Sequence, residues 1–302
     1  RWQVERAWQP RMGAFVMLVA AGFGAIFIMQ WRNDGSATTI RASRNFYGTL
    51  RVFDYSADDP DEHYRLLMHG ATTHGLQLVA RPRQATTYYG EHSGVGLGIR
   101  HLAEGPRRLG LVGLGTGTLA AYGRAGDYLR IYEINPAVER LARDPFTYLA
   151  NCPAKVDVVM GDARLTMERE IAEGRSQQFD LLALDAFSSD AIPVHLLTRE
   201  AFELYLREVK PGGVIAVHIS NRYLDLEPVV NELAAHFGLK TATISDDELE
   251  WWIYGSTWIL VTKNQALLDD PEIAEATDAA DKAAAARVLW TDDHASLYEI
   301  LK

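Results

Sequence analysis

The chain has little cysteine and no excess of positive charge. Both features limit the functions that it can have. One cysteine, Cys152, stands among 302 residues, so no disulfide can form within the chain and a reducing compartment is permitted. It directly precedes Pro153 ahead of a predicted strand, which favours a packing role over a catalytic thiol. The 30 lysines and arginines against 40 aspartates and glutamates give a net charge of −10. Such a charge repels polyphosphates, so we expect no nucleic-acid partner and an attraction for cationic substrates, although the charge can also serve solubility alone.

A glycine-rich stretch at residues 107–135 organises the chain. We predict a strand at 109–112, a tight turn, a helix start at 118–124 and a second strand at 128–132 that ends in Glu133. Glycines in the turn let a ligand lie against the backbone, and an acid at the end of the second strand can accept both hydroxyls of a ribose. We therefore predict a nucleoside-binding β-α-β unit, with a purely structural glycine turn as the alternative. The turn residues assigned to nucleoside binding are Gly113, Gly115, Thr116 and Gly117.

Strands and helices alternate from residue 109 onward. The alternation predicts an α/β fold with a parallel sheet, helices on both faces and a ligand at the carboxyl ends of the strands. Seven strands, the last two joined by an irregular connection, favour the Rossmann-like fold of transferases that use S-adenosylmethionine (AdoMet). The predicted strands are 109–112, 129–133, 155–160, 179–184, 214–219, 241–245 and 258–262.

Residues 12–31 form an uncharged apolar run bracketed by Arg11 and Arg32. The run is long enough to cross a bilayer, so we predict a transmembrane helix that anchors the protein in the cell membrane, with a cytoplasmic catalytic domain. A signal peptide and a buried helix are the alternatives. The predicted division is a transmembrane helix and linker at 1–38, a small β-rich unit with a substrate loop at 39–98, the Rossmann-like domain at 99–268 and a helical tail at 269–302.

Three acids follow successive predicted strands. Glu133 ends the second strand, Asp162 follows the third and Asp185 follows the fourth. The carboxyl ends of parallel strands converge on one crevice, so we expect these side chains to be neighbours. Glu133 is predicted to hold the ribose, Asp162 to accept from an adenine amino group and Asp185 to face the transferred group. A helix N-cap is the alternative role for Asp162.

With these motifs in order, the chain from about Arg44 to Lys263 resembles the polyamine aminopropyltransferases, the spermidine synthase family, and in particular a membrane-linked subgroup. The resemblance is carried by a β-rich unit with Gln77, by Tyr89-Gly90-Glu91, and by the sequences GLGTG, EIN and GDAR before an Asp-containing loop. It implies that decarboxylated AdoMet or AdoMet is the donor substrate, that a small amine is the acceptor, that no metal takes part, and that the protein can be a homo-oligomer.

The resemblance also implies a role for each matching residue. An amine attacks the carbon next to the sulfonium and methylthioadenosine leaves. Because an amine with a pKa of about 10 is mostly ammonium at neutral pH, a carboxylate such as Asp185 is expected to orient it and take a proton. Tyr89 is the second catalytic residue. Nucleoside contacts are assigned to Gln77, Glu133, Asp162 and Ala163, and acceptor contacts to Tyr88, Glu91 and Asp190. His218 and Tyr223 are predicted to line the acceptor pocket because they lie at and after the end of the fifth predicted strand, at the same rim.

Two departures from the family pattern keep other functions open. Thr116 stands where the family has an aspartate in the glycine turn, and Ser188 stands where its loop has a second acid, with Asp190 two residues later. The alternatives are another AdoMet-dependent enzyme on the same scaffold, either a methyltransferase or an AdoMet side-chain cyclase or lyase, and a non-catalytic sensor of nucleosides or polyamines.

Overall fold

Two β-sheets organise the protein, as seen in a computed structural model. The structure describes residues 37–186, 193–247, 250–279 and 288–302. Within these ranges a small antiparallel sheet precedes a large, mostly parallel one. The predicted α/β class and the small β-rich unit are therefore confirmed.

The small sheet is a meander of four antiparallel strands paired in chain order. Its central strands alternate, so that Leu50, Val52 and Leu67 are buried while the residues between them are more exposed. One face of the sheet thus joins the core of the protein. The strands are β1 (Ala37–Asn45), β2 (Gly48–Tyr55), β3 (Tyr64–His69) and β4 (Thr72–Leu78).

The large sheet has seven strands in the order β10-β11-β9-β8-β5-β6-β7. The strands are β5 (Arg108–Val112), β6 (Tyr128–Glu133), β7 (Lys155–Met160), β8 (Phe179–Leu184), β9 (Val209–His218), β10 (Lys240–Asp246) and β11 (Ser256–Thr262). The number of strands agrees with the prediction. Strand β11, however, runs antiparallel to both β9 and β10. An antiparallel pair needs no crossover helix, which explains why the connection before β11 is irregular.

Helices cover both faces of the large sheet. Along β8, Leu181 and Ala183 belong to one apolar cluster while Leu182 and Leu184 belong to another on the opposite face. This double burial is what an interior parallel strand requires. The helices are α1 (Gly94–Arg100), α2 (Pro136–Arg143), α3 (Ala163–Ala172), α4 (Arg199–Glu208), α5 (Glu227–His236), α6 (Gln265–Leu268) and α7 (Pro271–Ala276).

The segment after the glycine turn differs from its prediction. A helix start was predicted at 118–124, and the chain instead makes a short 3₁₀ segment, Thr118–Tyr122, between Gly117 and Gly123. Gly117 has a left-handed backbone and Gly123 an extended one, so only five residues remain between two helix-breaking positions. Cys152 is half-buried close to Gly123, in keeping with a packing role.

The carboxyl-terminal residues return to the domain. Trp290 and Ile300 are buried within the apolar cluster on one face of the sheet, and the Arg199 backbone N–H donates to the Trp290 carbonyl. Asp292 accepts from the Thr198 hydroxyl and forms an ion pair with Arg164. The tail therefore fixes the start of α4 to the start of α3.

The predicted cell-membrane location is corrected by the structure. Across the described ranges, no helix combines the length and the apolar character needed to cross a membrane. The apolar run 12–31, on which the prediction rested, lies outside the described residues. The proposed domain boundaries at 38, 98 and 268 stay a prediction.

Candidate active site

A cavity of about 690 Å³ lies at the carboxyl ends of the large sheet. Residues of the small sheet and of the loop before α1 complete its wall, so that both sheets contribute. This is where an open α/β sheet binds its ligands. The predicted site residues that line it are Tyr88, Tyr89, Gly113, Gly115, Glu133, Asp162, Ala163, Asp185 and His218.

Glu133 lies at the end of β6 and holds the glycine turn in place. Its two carboxylate oxygens accept from the backbone N–H groups of Leu114, at 3.0 Å, and Asn135, at 2.7 Å. Burial raises the pKa of Glu133, and the backbone donors oppose that rise. Each oxygen of a carboxylate can accept a second hydrogen bond. The group is thus fixed in orientation and still able to accept hydroxyls from the cavity.

Gly113 begins the turn with φ +99, a left-handed conformation that only glycine adopts freely. A Cβ added there would clash with the backbone carbonyl oxygen of Asp185 and lie 2.9 Å from its carbon. The turn and the end of β8 therefore depend on a bare backbone at this position.

Gly113→Ala is expected to lower the free energy of unfolding by about 2–4 kcal/mol, because backbone strain adds to a clash with atoms that cannot rotate away. Urea denaturation measures the change. Gly105→Ala is the matched control, since Gly105 has φ +106 but an added Cβ would meet nothing within 4 Å. We expect the control substitution to lower the free energy of unfolding by about 1 kcal/mol. Equal losses in the two variants would contradict the clash.

Asp162 has two partners at the edge of the cavity. One oxygen accepts from the Leu165 backbone N–H at 2.9 Å and caps α3, while the other lies 3.0 Å from His195 Nε2. The N-cap alternative is therefore realised, and it does not remove Asp162 from the cavity wall. His195 belongs to no predicted strand, helix or motif. The sequence therefore did not indicate that it is a neighbour of Asp162.

Asp185 is held from two sides just after β8. One carboxylate oxygen accepts a short hydrogen bond from the Tyr89 hydroxyl, and the other lies 2.7 Å from His218 Nδ1. Burial, together with the negative charge of Asp185, raises the pKa of Tyr89 well above its ordinary value. Tyr89 is thus a protonated donor that positions the carboxylate.

His218 ends β9, next to the strand that precedes Asp185. Its other ring nitrogen, Nε2, lies 2.9 Å from Ser220 Oγ, and Ser220 Oγ accepts from the Thr257 backbone N–H at 2.8 Å. The imidazole stacks on Trp258, with ring centroids 4.6 Å apart and an angle of 12°. Asp185, His218 and Ser220 form one chain of hydrogen bonds, and all three line the cavity. A serine two residues after a strand-end histidine was the available signal for Ser220.

The remaining predicted site residues lie elsewhere. The Gln77 side chain is buried and bonds the Thr147 hydroxyl, at 3.0 Å, and the Thr147 backbone, at 2.9 Å. Thr116 is buried against the Thr118 hydroxyl. Five predicted site residues do not line the cavity, namely Gln77, Glu91, Thr116, Gly117 and Tyr223. Of these, Glu91 and Tyr223 are exposed. Asp190 lies outside the described residues.

Two basic side chains that are not among the predicted site residues also line the cavity. Arg222 and Lys302 line the cavity, and the Lys302 ammonium donates to the Asn221 carbonyl at 2.8 Å. Within the described ranges no cluster of three or more histidine, cysteine or acidic residues could hold a metal ion. The expectation that no metal takes part stays a prediction.

Fold and cavity together define a class: α/β proteins with a seven-stranded Rossmann-like sheet, a preceding antiparallel sheet and a nucleoside-sized cavity between them. A search with protein-family profiles finds no match. A curated polyamine aminopropyltransferase from Vibrio vulnificus is 34% identical over 116 residues, which are 37% of this chain. The match spans 38% of that relative's length.

Solved spermidine synthases share the fold. The enzyme from Thermotoga maritima aligns with a TM-score of 0.55 and 11% identity over 84% of this chain and 81% of its own. A spermidine synthase in complex with the transition-state analogue AdoDATO aligns with a TM-score of 0.53 and 10% identity, again over 84% of this chain and 81% of its own. A probable spermidine synthase from Corynebacterium glutamicum aligns with a TM-score of 0.56 and 20% identity over 75% of this chain and 79% of its own. The predicted resemblance is confirmed, apart from its membrane-linked part, and the similar proteins are transferases, the predicted enzyme class.

Proposed function

We propose that this protein transfers an aminopropyl group from decarboxylated AdoMet to a small amine and releases methylthioadenosine. The observation that carries the proposal is one cavity lined both by Glu133 and by the Tyr89–Asp185 pair, with the Asp185 backbone against Gly113 of the glycine turn. The sequence match to a polyamine aminopropyltransferase supports the same assignment.

The nucleoside half of the cavity suits adenosine. Glu133 is fixed by two backbone donors and keeps acceptor capacity for the ribose hydroxyls. Asp162 and Ala163 begin α3 at the neighbouring strand end, where an adenine amino group can donate to the carboxylate. Together these residues fix the position of the sulfonium carbon relative to Asp185.

The reaction needs little acid catalysis and one proton transfer. A nitrogen–carbon bond forms as the carbon–sulfur bond breaks, and the electron pair leaves with sulfur in a neutral thioether. The nucleophile must first lose a proton, because a free amine is mostly ammonium at neutral pH. Asp185, oriented by Tyr89 and His218, supplies negative charge beside the amine and favours that loss.

Two features favour a second candidate, use of AdoMet itself as the donor. Thr116 replaces the family aspartate and bonds Thr118, while Arg222 and Lys302 line the cavity. A basic wall suits a donor that retains its carboxylate. Methyl transfer from AdoMet would give S-adenosylhomocysteine, whereas cleavage at the side chain would give methylthioadenosine.

Product analysis tests the proposal directly. We expect methylthioadenosine and an aminopropylated amine when the protein is incubated with decarboxylated AdoMet and 1,4-diaminobutane, as measured by mass spectrometry. Calorimetric titration with decarboxylated AdoMet, AdoMet and methylthioadenosine accompanies it. A parallel incubation replaces the donor with AdoMet. Formation of S-adenosylhomocysteine there, with no product from decarboxylated AdoMet, would establish methyl transfer from AdoMet, and tight binding without product from either donor would indicate a sensor.

A further inference from the structure

The hydrogen-bond chain of Asp185, His218 and Ser220 extends beyond the carboxylate that the proposed reaction uses. Asp185 Oδ1 lies 2.7 Å from Nδ1 of His218, and Nε2 lies 2.9 Å from Ser220 Oγ. His218 is buried, whereas Ser220 is partly exposed and lines the cavity. A buried imidazole is thus connected to the cavity by a hydroxyl.

The partners of each group fix the direction of the hydrogen bonds. An ionised Asp185 can only accept, so His218 Nδ1 carries a hydrogen and donates. In the neutral imidazole Nε2 is then an acceptor, and the Ser220 hydroxyl donates to it. Ser220 Oγ already accepts from the Thr257 backbone N–H at 2.8 Å, which holds the oxygen in place. One acceptor position on Ser220 Oγ remains for a donor in the cavity.

We propose that His218, acting through Ser220, receives the proton that the acceptor amine loses, with Asp185 as the counterion of the resulting imidazolium. The inference rests on the proposed function and names the destination of its proton. The ammonium gives a proton to Ser220 Oγ while the Ser220 hydroxyl proton moves to His218 Nε2. The neutral amine then forms its bond to carbon as the carbon–sulfur bond breaks and the electron pair leaves with sulfur. His218 later returns the proton to solvent.

The surroundings of His218 suit a ring that becomes cationic. Asp185 contacts the imidazole from the end of β8, and Trp258 of β11 stacks on its face. The face of an aromatic ring stabilises a cation that lies on it. Tyr88, in the loop before α1, contacts the ring at 5.5 Å between centroids. Among the described residues, the titratable groups that contact His218 include Asp185 and Tyr88, and Tyr89 acts through Asp185.

Steady-state kinetics with two acceptors test the relay. With 1,4-diaminobutane, we expect Ser220→Ala to lower kcat about 10²-fold, within the range of general base catalysis, and to leave KM for the donor within twofold. With an O-alkylhydroxylamine acceptor, which is unprotonated at neutral pH, the loss should shrink to threefold or less. Ser220→Thr keeps the hydroxyl and should restore most of the rate. An unchanged kcat in Ser220→Ala, or equal losses with both acceptors, would overturn the proposal.

His218→Gln should show the same dependence on the acceptor as Ser220→Ala. The matched control is His236→Gln, because His236 is exposed on α5 and should leave both rates unchanged. Thermal unfolding of each variant separates a folding defect from a lost proton acceptor. A rate loss in His218→Gln that does not depend on acceptor basicity would assign His218 to a purely structural role.

Nitrogen NMR of the His218 ring gives a test that does not depend on turnover. In the unliganded protein, we expect hydrogen on Nδ1 and none on Nε2, and we expect Asp185→Asn to shift that balance. If the wild-type protein forms no methylthioadenosine, the proposed function fails while this measurement still decides the direction of the hydrogen bonds. Hydrogen on Nε2 instead of Nδ1 in an active enzyme would overturn the relay alone.

Discussion

Replacing Asp185 with asparagine is expected to lower turnover about 10³-fold while nucleoside binding is retained. Both Asp185 oxygens receive hydrogen bonds, from the Tyr89 hydroxyl and from His218 Nδ1–H. An amide has one oxygen and one NH₂ group, so it cannot accept from both donors. The variant also removes the negative charge that favours amine deprotonation, and losses of 10²–10⁴-fold are typical for such a group.

The measurement is the rate of methylthioadenosine formation, paired with calorimetric titration of methylthioadenosine. Asp180→Asn is the matched control, because Asp180 lies on β8, the strand that Asp185 follows, is not among the cavity-lining residues, and bonds Lys210 and the Arg108 backbone. We expect the control to keep its turnover. Retained turnover in Asp185→Asn would exclude the carboxylate from the reaction, and loss of nucleoside binding would mean that Asp185 acts in binding instead.

The sequence carried most of the information about the large sheet. Predicted strands of four to six residues that alternate with helices indicate a parallel sheet, and six of the seven strands run in the same direction. Strand β11 is the exception, because an apolar run has the same composition in either direction. Only its pairing with β9 and β10 in space fixes its orientation.

The acids at the strand ends were predictable because the carboxyl ends of parallel strands meet at one edge of the sheet. Glu133 ends β6, Asp162 and Asp185 follow β7 and β8 of the same parallel sheet, and the three share one cavity, as their positions in the sequence indicated. The partners of these acids were harder to predict. His218 reaches Asp185 only because β8 and β9 are adjacent, and strand order is not encoded in local periodicity.

Gln77 illustrates the limit of a resemblance. Its position in the small β-rich unit matched the family pattern, yet its amide bonds Thr147 and the Pro82 carbonyl rather than facing the cavity. A buried amide needs partners wherever it lies, so burial and a matching position do not distinguish a binding residue from a structural one. The predicted nucleoside contact of Gln77 therefore stays a prediction.

The largest expected effect on stability comes from Asp127→Ala, which should lower the free energy of unfolding by about 3–5 kcal/mol. Asp127 precedes β6 and forms a buried ion pair with Arg107, which precedes β5. Its oxygens accept from Arg107 Nε, at 3.1 Å, and from the backbone N–H groups of Arg107 and Arg124, both at 2.9 Å. Removing the carboxylate would leave the Arg107 guanidinium buried without its counterion.

Urea denaturation near neutral pH measures the loss, with Asp157→Ala as the matched control. Asp157 pairs with Arg130, but its side chain is 45% exposed and Arg130 also pairs with Glu170, so about 1 kcal/mol or less is expected. Burial opposes ionisation of Asp127, yet the hydrogen bonds from Arg107 and Arg124 outweigh it and lower its pKa. A carboxylate with a lowered pKa stabilises the fold above its ordinary pKa and loses that contribution as the pH falls through the folded value. The difference between wild type and Asp127→Ala should therefore narrow in acid, and a difference that stays constant with pH would contradict the ion pair as its cause.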